Sequence, residues 1–275
     1  MPNRPRVFAT DFDGTLLRTD GTLSPRTASA IAAAEAAGCT VIVVTARPPR
    51  WMKAFREQVG AHGVVLCSNG AFVYDAHVDA VVAEQTIPAE VTLDVASRLR
   101  ASLPGIGFGV EGRSGLGIEP ALRDLRAPDG TVVDDARRVA VLEELLEDEL
   151  PGKLIARHPR LGPEEFVERA TALVGEDVHL AYSGAPGLAE MTALGVTKAT
   201  ALQRWCADHD VSSAEVWTFG DMPNDVPMLS WAGRSFAVAG AHPAAVKAAS
   251  DGCAANDEDG VARIIEAALT PSPSP

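Results

Sequence analysis

Short apolar runs punctuate the first third of the chain, each closed by glycine, proline or a charged residue. Val7, Phe8 and Ala9 make the first, "CTVIVVTA" (39–46) the second and "GVVLCSNG" (63–70) the third. Runs of this length suit strands buried on both faces. Between the first two, "SPRTASAIAAAEAAG" (24–38) predicts a helix with Ser24 as N-cap, Pro25 in its first turn and Gly38 beyond its end. Pro48 and Pro49 open a second helix, predicted to run to about Val59. Asn69-Gly70 is a hairpin signal, with "AFVYD" (71–75) as the returning strand. Strand, helix, strand, helix, strand in this order predicts a parallel sheet with right-handed crossovers.

The last third resumes the alternation. "KATALQRWCADHD" (198–210) predicts a helix, "AEVWTFG" (214–220) a strand and "NDVPMLSWAG" (224–233) a short helix. "SFAVAG", "HPAAVKAAS" and "DGCAA" follow, then a final helix from about Glu258 and a proline-rich tail, about 270–275, expected to be disordered. The middle differs. It holds a helix near 89–102, the glycine-rich run "GIGFGVEGRSGLGIE" (105–119) and the acidic "LEELLEDEL" (142–150). A strand "KLIARH", a helix near 163–174 and two strands joined at Gly184–Gly187 complete it. The pattern therefore predicts an α/β protein: a doubly wound, mainly parallel core in two parts, 1–85 and 188–275, with an α+β domain of 86–187 inserted between them. The acidic run is expected to be a solvated helix face. The glycine-rich stretch from Glu111 to Gly117 is expected to face the site.

Composition narrows the function. The net charge of −13 over 275 residues argues against a general partner for nucleic acid or anionic membranes. It leaves room for a small anion held at one cationic site. The longest apolar runs are too short to span a bilayer, so the chain is expected to be cytoplasmic. Cys39, Cys67, Cys206 and Cys253 are widely spaced without a CxxC pair, and read as small core residues rather than zinc ligands or disulfides.

The chemistry gathers at strand ends. In "VFATDFDGTLL" (7–17) two aspartates one residue apart follow the first strand. Alternation along a strand would bring Asp11 and Asp13 out together, with Phe12 turned away. Two adjacent carboxylates repel, and a bound cation or a shared proton would offset this; an ordinary Asp-Gly turn is the plainer alternative. Thr45, followed by Arg47, ends the second strand. Lys198 follows the apparent N-cap Thr197, so a cation sits where the helix dipole disfavours it and a nearby anion would compensate. In "FGDMPND" (219–225), Asp221, Asn224 and Asp225 cluster if a helix begins there. Such oxygen donors suit Mg²⁺. All four places fall at the carboxyl edge of the predicted sheet, where open α/β sheets bind ligands.

These segments resemble the haloacid dehalogenase superfamily, and within it the Cof-like phosphatases with a large α/β cap. "DFDGTLL" is similar to the DxDGT motif and "VIVVTAR" to the apolar strand ending in Ser or Thr. "GVTKATAL" is similar to the GVxKxxAL element, "GDMPNDVPML" to GDxxNDxxM and "CSNGAFVYD" to the family's Asn-Gly-Ala hairpin. Ala46 and Ala199 stand where glycine is commoner. The resemblance implies that Asp11 is a nucleophile, Asp13 an acid and base, and Thr45 and Lys198 the groups that hold the phosphoryl oxygens. It implies Mg²⁺ as cofactor, bound by Asp11, the Asp13 carbonyl and Asp221, with Asn224 and Asp225 ordering the metal shell and Lys198. Gly14, Ala46, Arg47, Asn69, Gly70 and Asn224 would approach the substrate. A small phosphorylated metabolite is the implied partner, with no nucleic acid or membrane, and the chain could be monomer or dimer. The inserted domain would choose the leaving group. A phosphomutase of the same superfamily, or a non-catalytic phospho-ligand binder, is the alternative. A receiver-like signalling domain is shorter and lacks DxDGT.

Overall fold

The computed structural model describes residues 4–56, 63–123, 136–181 and 188–270. In chain order the strands are β1 (Val7–Thr10), β2 (Thr40–Val44), β3 (Val64–Cys67), β4 (Phe72–Asp75), β5 (Ala80–Glu84), β6 (Gly107–Gly112) and β7 (Gly115–Ile118). They continue as β8 (Arg138–Val139), β9 (Lys153–Arg157), β10 (Val178–Ala181), β11 (Leu188–Ala193), β12 (Val216–Gly220), β13 (Arg234–Val238) and β14 (Asp251–Cys253). The helices are α1 (Pro25–Ala36), α2 (Pro49–Met52), α3 (Ala89–Ser102), α4 (Leu142–Asp148), α5 (Pro163–Val174), α6 (Lys198–Asp208), α7 (Val226–Trp231), α8 (Pro243–Ala248) and α9 (Gly260–Leu269).

One sheet runs β14-β13-β12-β1-β2-β3-β4-β5. It is parallel from β14 to β3, and the β4–β5 edge is antiparallel. The central parallel strands are largely apolar because helices cover both faces. Phe8, Val41, Val43 and Cys67 pack with Ile31 and Ile265 of α1 and α9. The alternate residues Val7, Ala9, Ile42, Val44 and Leu66 pack with Leu202 and Met228 of α6 and α7. Ser24 caps α1 as expected, its hydroxyl accepting from Thr27 N. Cys39, Cys67 and Cys206 are buried and Cys253 partly so, all as thiols.

The second sheet, β10-β11-β9-β6-β7-β8, is mixed and forms an inserted cap. The glycine-rich run becomes the antiparallel pair β6 and β7. Phe108, Val110, Leu154, Ala156, Ala189 and Met191 point to one side, where α3, α4 and α5 supply Leu99, Leu145 and Phe166. The alternate residues, Glu111, Lys153, Ile155 and Glu190, must point to the other side. That side meets the core, since Ile155 packs against Trp51 just after Pro49. Strand β11 belongs to this sheet, so the sheet continues six residues past 187, where the composition suggested the core resumes. The α2 helix is shorter than its prolines suggested: a tighter turn, Lys53–Phe55, replaces it after Met52. The predicted end of that helix, the Gly184–Gly187 turn and the tail from 271 lie outside the described residues. Among the described residues no helix is long and apolar enough to cross a membrane.

Candidate active site

The strand order reverses between β1 and β12, the position in an open α/β sheet where a crevice forms at the carboxyl ends. Asp11 follows β1 there and Asp221 follows β12. The Asp11 amide donates to Phe219 O at 2.9 Å, which ties the two strand ends together. The chain then turns sharply at Gly14, whose φ is +79°. A Cβ on Gly14 would lie 2.7 Å from Asp221 Oδ2, so glycine is needed both for the turn and for the close approach of that carboxylate.

The two motif aspartates part company. Asp11 is buried, whereas the Asp13 side chain is 52% exposed. Alternation would hold only if the strand persisted through 13, but β1 ends at Thr10 and a turn spans Phe12–Leu16. Lys198 opens α6 behind the cap residue Thr197, which accepts from Thr200 N. The lysine is buried, and its Nζ donates to Asp11 Oδ1 at 2.5 Å and to Asp225 Oδ1 at 2.7 Å. These are the anions that its unfavourable helix position called for. Asp225 is fully buried, and its Oδ2 accepts from the backbone amides of Asp221 and Met222, both at 3.0 Å. Asp221 Oδ1 accepts from the Thr15 hydroxyl at 3.1 Å.

Burial raises the Asp11 pKa well above the ordinary carboxylate range; Lys198 opposes this, and Asp225 and Asp221 add to it. Burial also raises Asp221, to about 6, with the charge of Asp225 as the next cause. Burial disfavours the Lys198 ammonium, but Asp11 and Asp225 outweigh it and hold its pKa above the usual lysine value. Carboxylate oxygens of Asp11, Asp221 and Asp225 lie within 4.8 Å of one another. Three carboxylates around one ammonium leave two negative charges uncompensated when all are ionised. A divalent cation matches that deficit, and hard oxygen donors suit it. Asp225 already serves Lys198 and two amides, so Asp11 and Asp221 are the carboxylates with capacity to spare.

Thr45 follows β2 and is fully buried. Its amide donates to Leu66 O at 2.8 Å, its carbonyl accepts from Asn69 N at 3.0 Å, and its Oγ1 accepts from Arg47 N at 3.0 Å. Arg47 lies over the Phe12 and Phe55 rings, 5.2 and 5.1 Å from their centroids, and donates to both oxygens of Asp13. Asn69 is buried with φ +55°, and Gly70 follows at φ +99°. A Cβ on Gly70 would sit 2.5 Å from Thr197 O, so this loop and the start of α6 meet only through glycine. Asn224 Nδ2 donates to Asn69 Oδ1 at 3.1 Å. Asn224 thus ties its amide nitrogen to the neighbouring loop, while its buried Oδ1 has no hydrogen-bond partner among the described residues.

The cap adds groups that the motifs did not point to. Lys153 Nζ donates to Glu190 Oε1 at 2.6 Å and to Ala46 O at 3.1 Å; Asn69 Nδ2 donates to Glu190 Oε2 at 3.3 Å. Glu111 is buried against Arg50, 2.9 Å between Nη2 and Oε2. The available signal was charge set into otherwise apolar strands: Lys153 and Arg157 in "KLIAR", Glu190 in "LAEMTA" and Glu111 in "FGVEG".

A profile described as haloacid dehalogenase-like hydrolase matches residues 8–265. A Bacillus subtilis (strain 168) protein named 5-amino-6-(5-phospho-D-ribitylamino)uracil phosphatase YitU is 26% identical over 97% of this chain and 98% of its own. Pyridoxal phosphate phosphatase YbhA of Escherichia coli (strain K12) is 25% identical over 94% and 97%. Among solved structures, BT1666 from Bacteroides thetaiotaomicron superposes with a TM-score of 0.80 at 21% identity, covering 97% of this chain and 96% of that one.

Proposed function

The chain belongs to the haloacid dehalogenase-like hydrolases, and from that premise we propose that it is a Mg²⁺-dependent phosphatase of a small phosphorylated metabolite, working through a phosphorylated aspartate. The observation that carries this reading is Lys198 held between Asp11 and Asp225, with Asp221 in the same cluster. Asp11 and Asp221, with the Asp13 carbonyl, would hold the metal. Bound there, a divalent cation supplies charge that draws an anionic phosphoryl group toward an anionic nucleophile. Asp11 forms the bond to phosphorus as the ester P–O bond breaks, and Asp13 gives the leaving oxygen its proton. Asp13 then takes a proton from water, whose oxygen displaces Asp11 and releases inorganic phosphate. Lys198 and the Thr45 hydroxyl hold the phosphoryl oxygens as charge builds on them. Arg47, Asn69 and Gly70 border the leaving group, with Ala46 and Gly14 bringing backbone close to the phosphoryl group. The relatives' names give 5-amino-6-(5-phospho-D-ribitylamino)uracil and pyridoxal phosphate as theirs, and this chain's substrate is of that small-phosphomonoester kind. The test is phosphate release from p-nitrophenyl phosphate and from a panel of phosphorylated metabolites, with and without Mg²⁺. Activity that survives exhaustive chelation, or phosphoryl transfer between sugars without free phosphate, contradicts it.

A further inference from the structure

Two loops of the core, those after β2 and β3, meet two side chains of the cap. Lys153 on β9 and Glu190 on β11 are only 3% and 5% exposed, and both lie on the core-facing side of their sheet. Such a pair could simply neutralise itself. It does more than that, because each member also reaches across to backbone or side chain of the core.

The Lys153 contact matters most. Its acceptor, Ala46 O, belongs to the same planar peptide unit as Arg47 N–H. The two groups of a trans peptide point in opposite directions. Lys153 Nζ holds one end at 3.1 Å, and Thr45 Oγ1 accepts from the other at 3.0 Å. A hydroxyl that accepts a fixed hydrogen bond has its remaining proton directed elsewhere. Glu190 steadies the other flank: it accepts from Asn69, whose own amide donates to Thr45 O. The residue that would grip the phosphoryl group is therefore held on two sides by the cap.

We propose that Lys153 is a positioning residue for phosphoryl binding: from the cap, through the Ala46–Arg47 peptide, it sets the direction in which the Thr45 hydroxyl donates. Glu190 is its counter-ion and second anchor. The cap thus acts on the phosphoryl side of the reaction as well as on the leaving group. This inference rests on the phosphatase reading above.

Lys153→Met alone would strand a buried carboxylate and could unfold the chain. The informative variant is Lys153→Met/Glu190→Met, which removes both charges and keeps apolar bulk. A misplaced phosphoryl-binding hydroxyl should lower kcat/KM by about 10- to 100-fold. The loss should be equal for p-nitrophenyl phosphate and glycerol 2-phosphate, because Thr45 touches the part they share. Lys153→Arg, which keeps a cationic donor, should retain most of the activity, and urea unfolding midpoints verify folding throughout. Parent-like kcat/KM in a folded double variant overturns the proposal. So does a loss confined to one substrate, which would make Lys153 a leaving-group contact. So does Lys153→Arg, folded, falling as far as the double variant. A parent that releases no phosphate from either substrate overturns the reaction itself, and this inference with it.

Discussion

Asp225 holds Lys198: its Oδ1 lies 2.7 Å from the ammonium, while its other oxygen accepts from two backbone amides at 3.0 Å. One buried carboxylate therefore fixes both a cation and the turn that presents Asp221. Removing it leaves Lys198 with Asp11 alone and orphans two N–H groups. Asp225→Ala should destabilise the protein by about 3–5 kcal/mol, the usual cost of breaking a buried pair. Asp13→Ala, at a half-exposed ion pair, should cost about 1 kcal/mol or less. Urea unfolding of both variants in chelator makes the comparison, and equal losses would refute the structural role of Asp225.

Asp221 points the other way. Burial and Asp225 raise its pKa from 3.8 to about 6 in the folded chain. Between those values the folded state binds more protons than the unfolded one, so this group's contribution to stability rises as pH falls from about 6 toward 4. Above pH 6 the buried charge is a liability until a cation partners it. Asp221→Asn should therefore stabilise the metal-free protein at pH 7, by about 1–3 kcal/mol, while abolishing metal-dependent turnover. The gap between variant and parent should shrink to about a third by pH 4.5 and close only below about pH 3.8, the unfolded value. Thermal unfolding in EDTA at the two pH values measures it; a gap that widens on acidification contradicts the assignment.

The parallel core was legible because its strands are apolar on both faces and its helices carry their own punctuation, Ser24 before α1 and Thr197 before α6. The site was legible where residues close in sequence stay close in space, as in 221–225. The unequal burial of Asp11 and Asp13 was not legible, because the period of two ends with the strand at Thr10. The β6–β7 hairpin was hidden by its glycines, which have no side chain to alternate. Lys153 and Glu190 meet Ala46 and Asn69 across about a hundred residues of chain, and no local spacing encodes such a meeting.

Asp11→Asn tests the nucleophile. The amide keeps the shape and Lys198 keeps Asp225, so the variant should fold, with turnover below detection for every phosphomonoester. Acid-quenched enzyme mixed with labelled substrate should carry label in the parent and none in Asp11→Asn. Label persisting on the folded variant would move the nucleophile elsewhere.

Both oxygens of Asp13 accept from Arg47, at 2.8 and 2.5 Å. In that arrangement neither oxygen is offered to a leaving group. Arg47 lies over Phe12 and Phe55, whereas Asp13 is half-exposed, so Asp13 is the partner expected to turn if it serves as the proton donor. Its proton matters in proportion to the basicity of the leaving oxygen. p-Nitrophenolate departs with little help, and an alkoxide needs much. Asp13→Ala should therefore slow phospho-enzyme formation far less with p-nitrophenyl phosphate than with glycerol 2-phosphate, while slowing its later hydrolysis equally for both. Arg47→Met frees Asp13 without removing it; because Arg47 also borders the leaving group, both substrates should bind more weakly, while the leaving-group contrast at saturating substrate stays as in the parent. Single-turnover measurements with both substrates in parent and both variants separate the steps. Equal losses in phospho-enzyme formation for the two substrates in Asp13→Ala would mean that the proton comes from another group, and that Asp13 serves only to anchor Arg47.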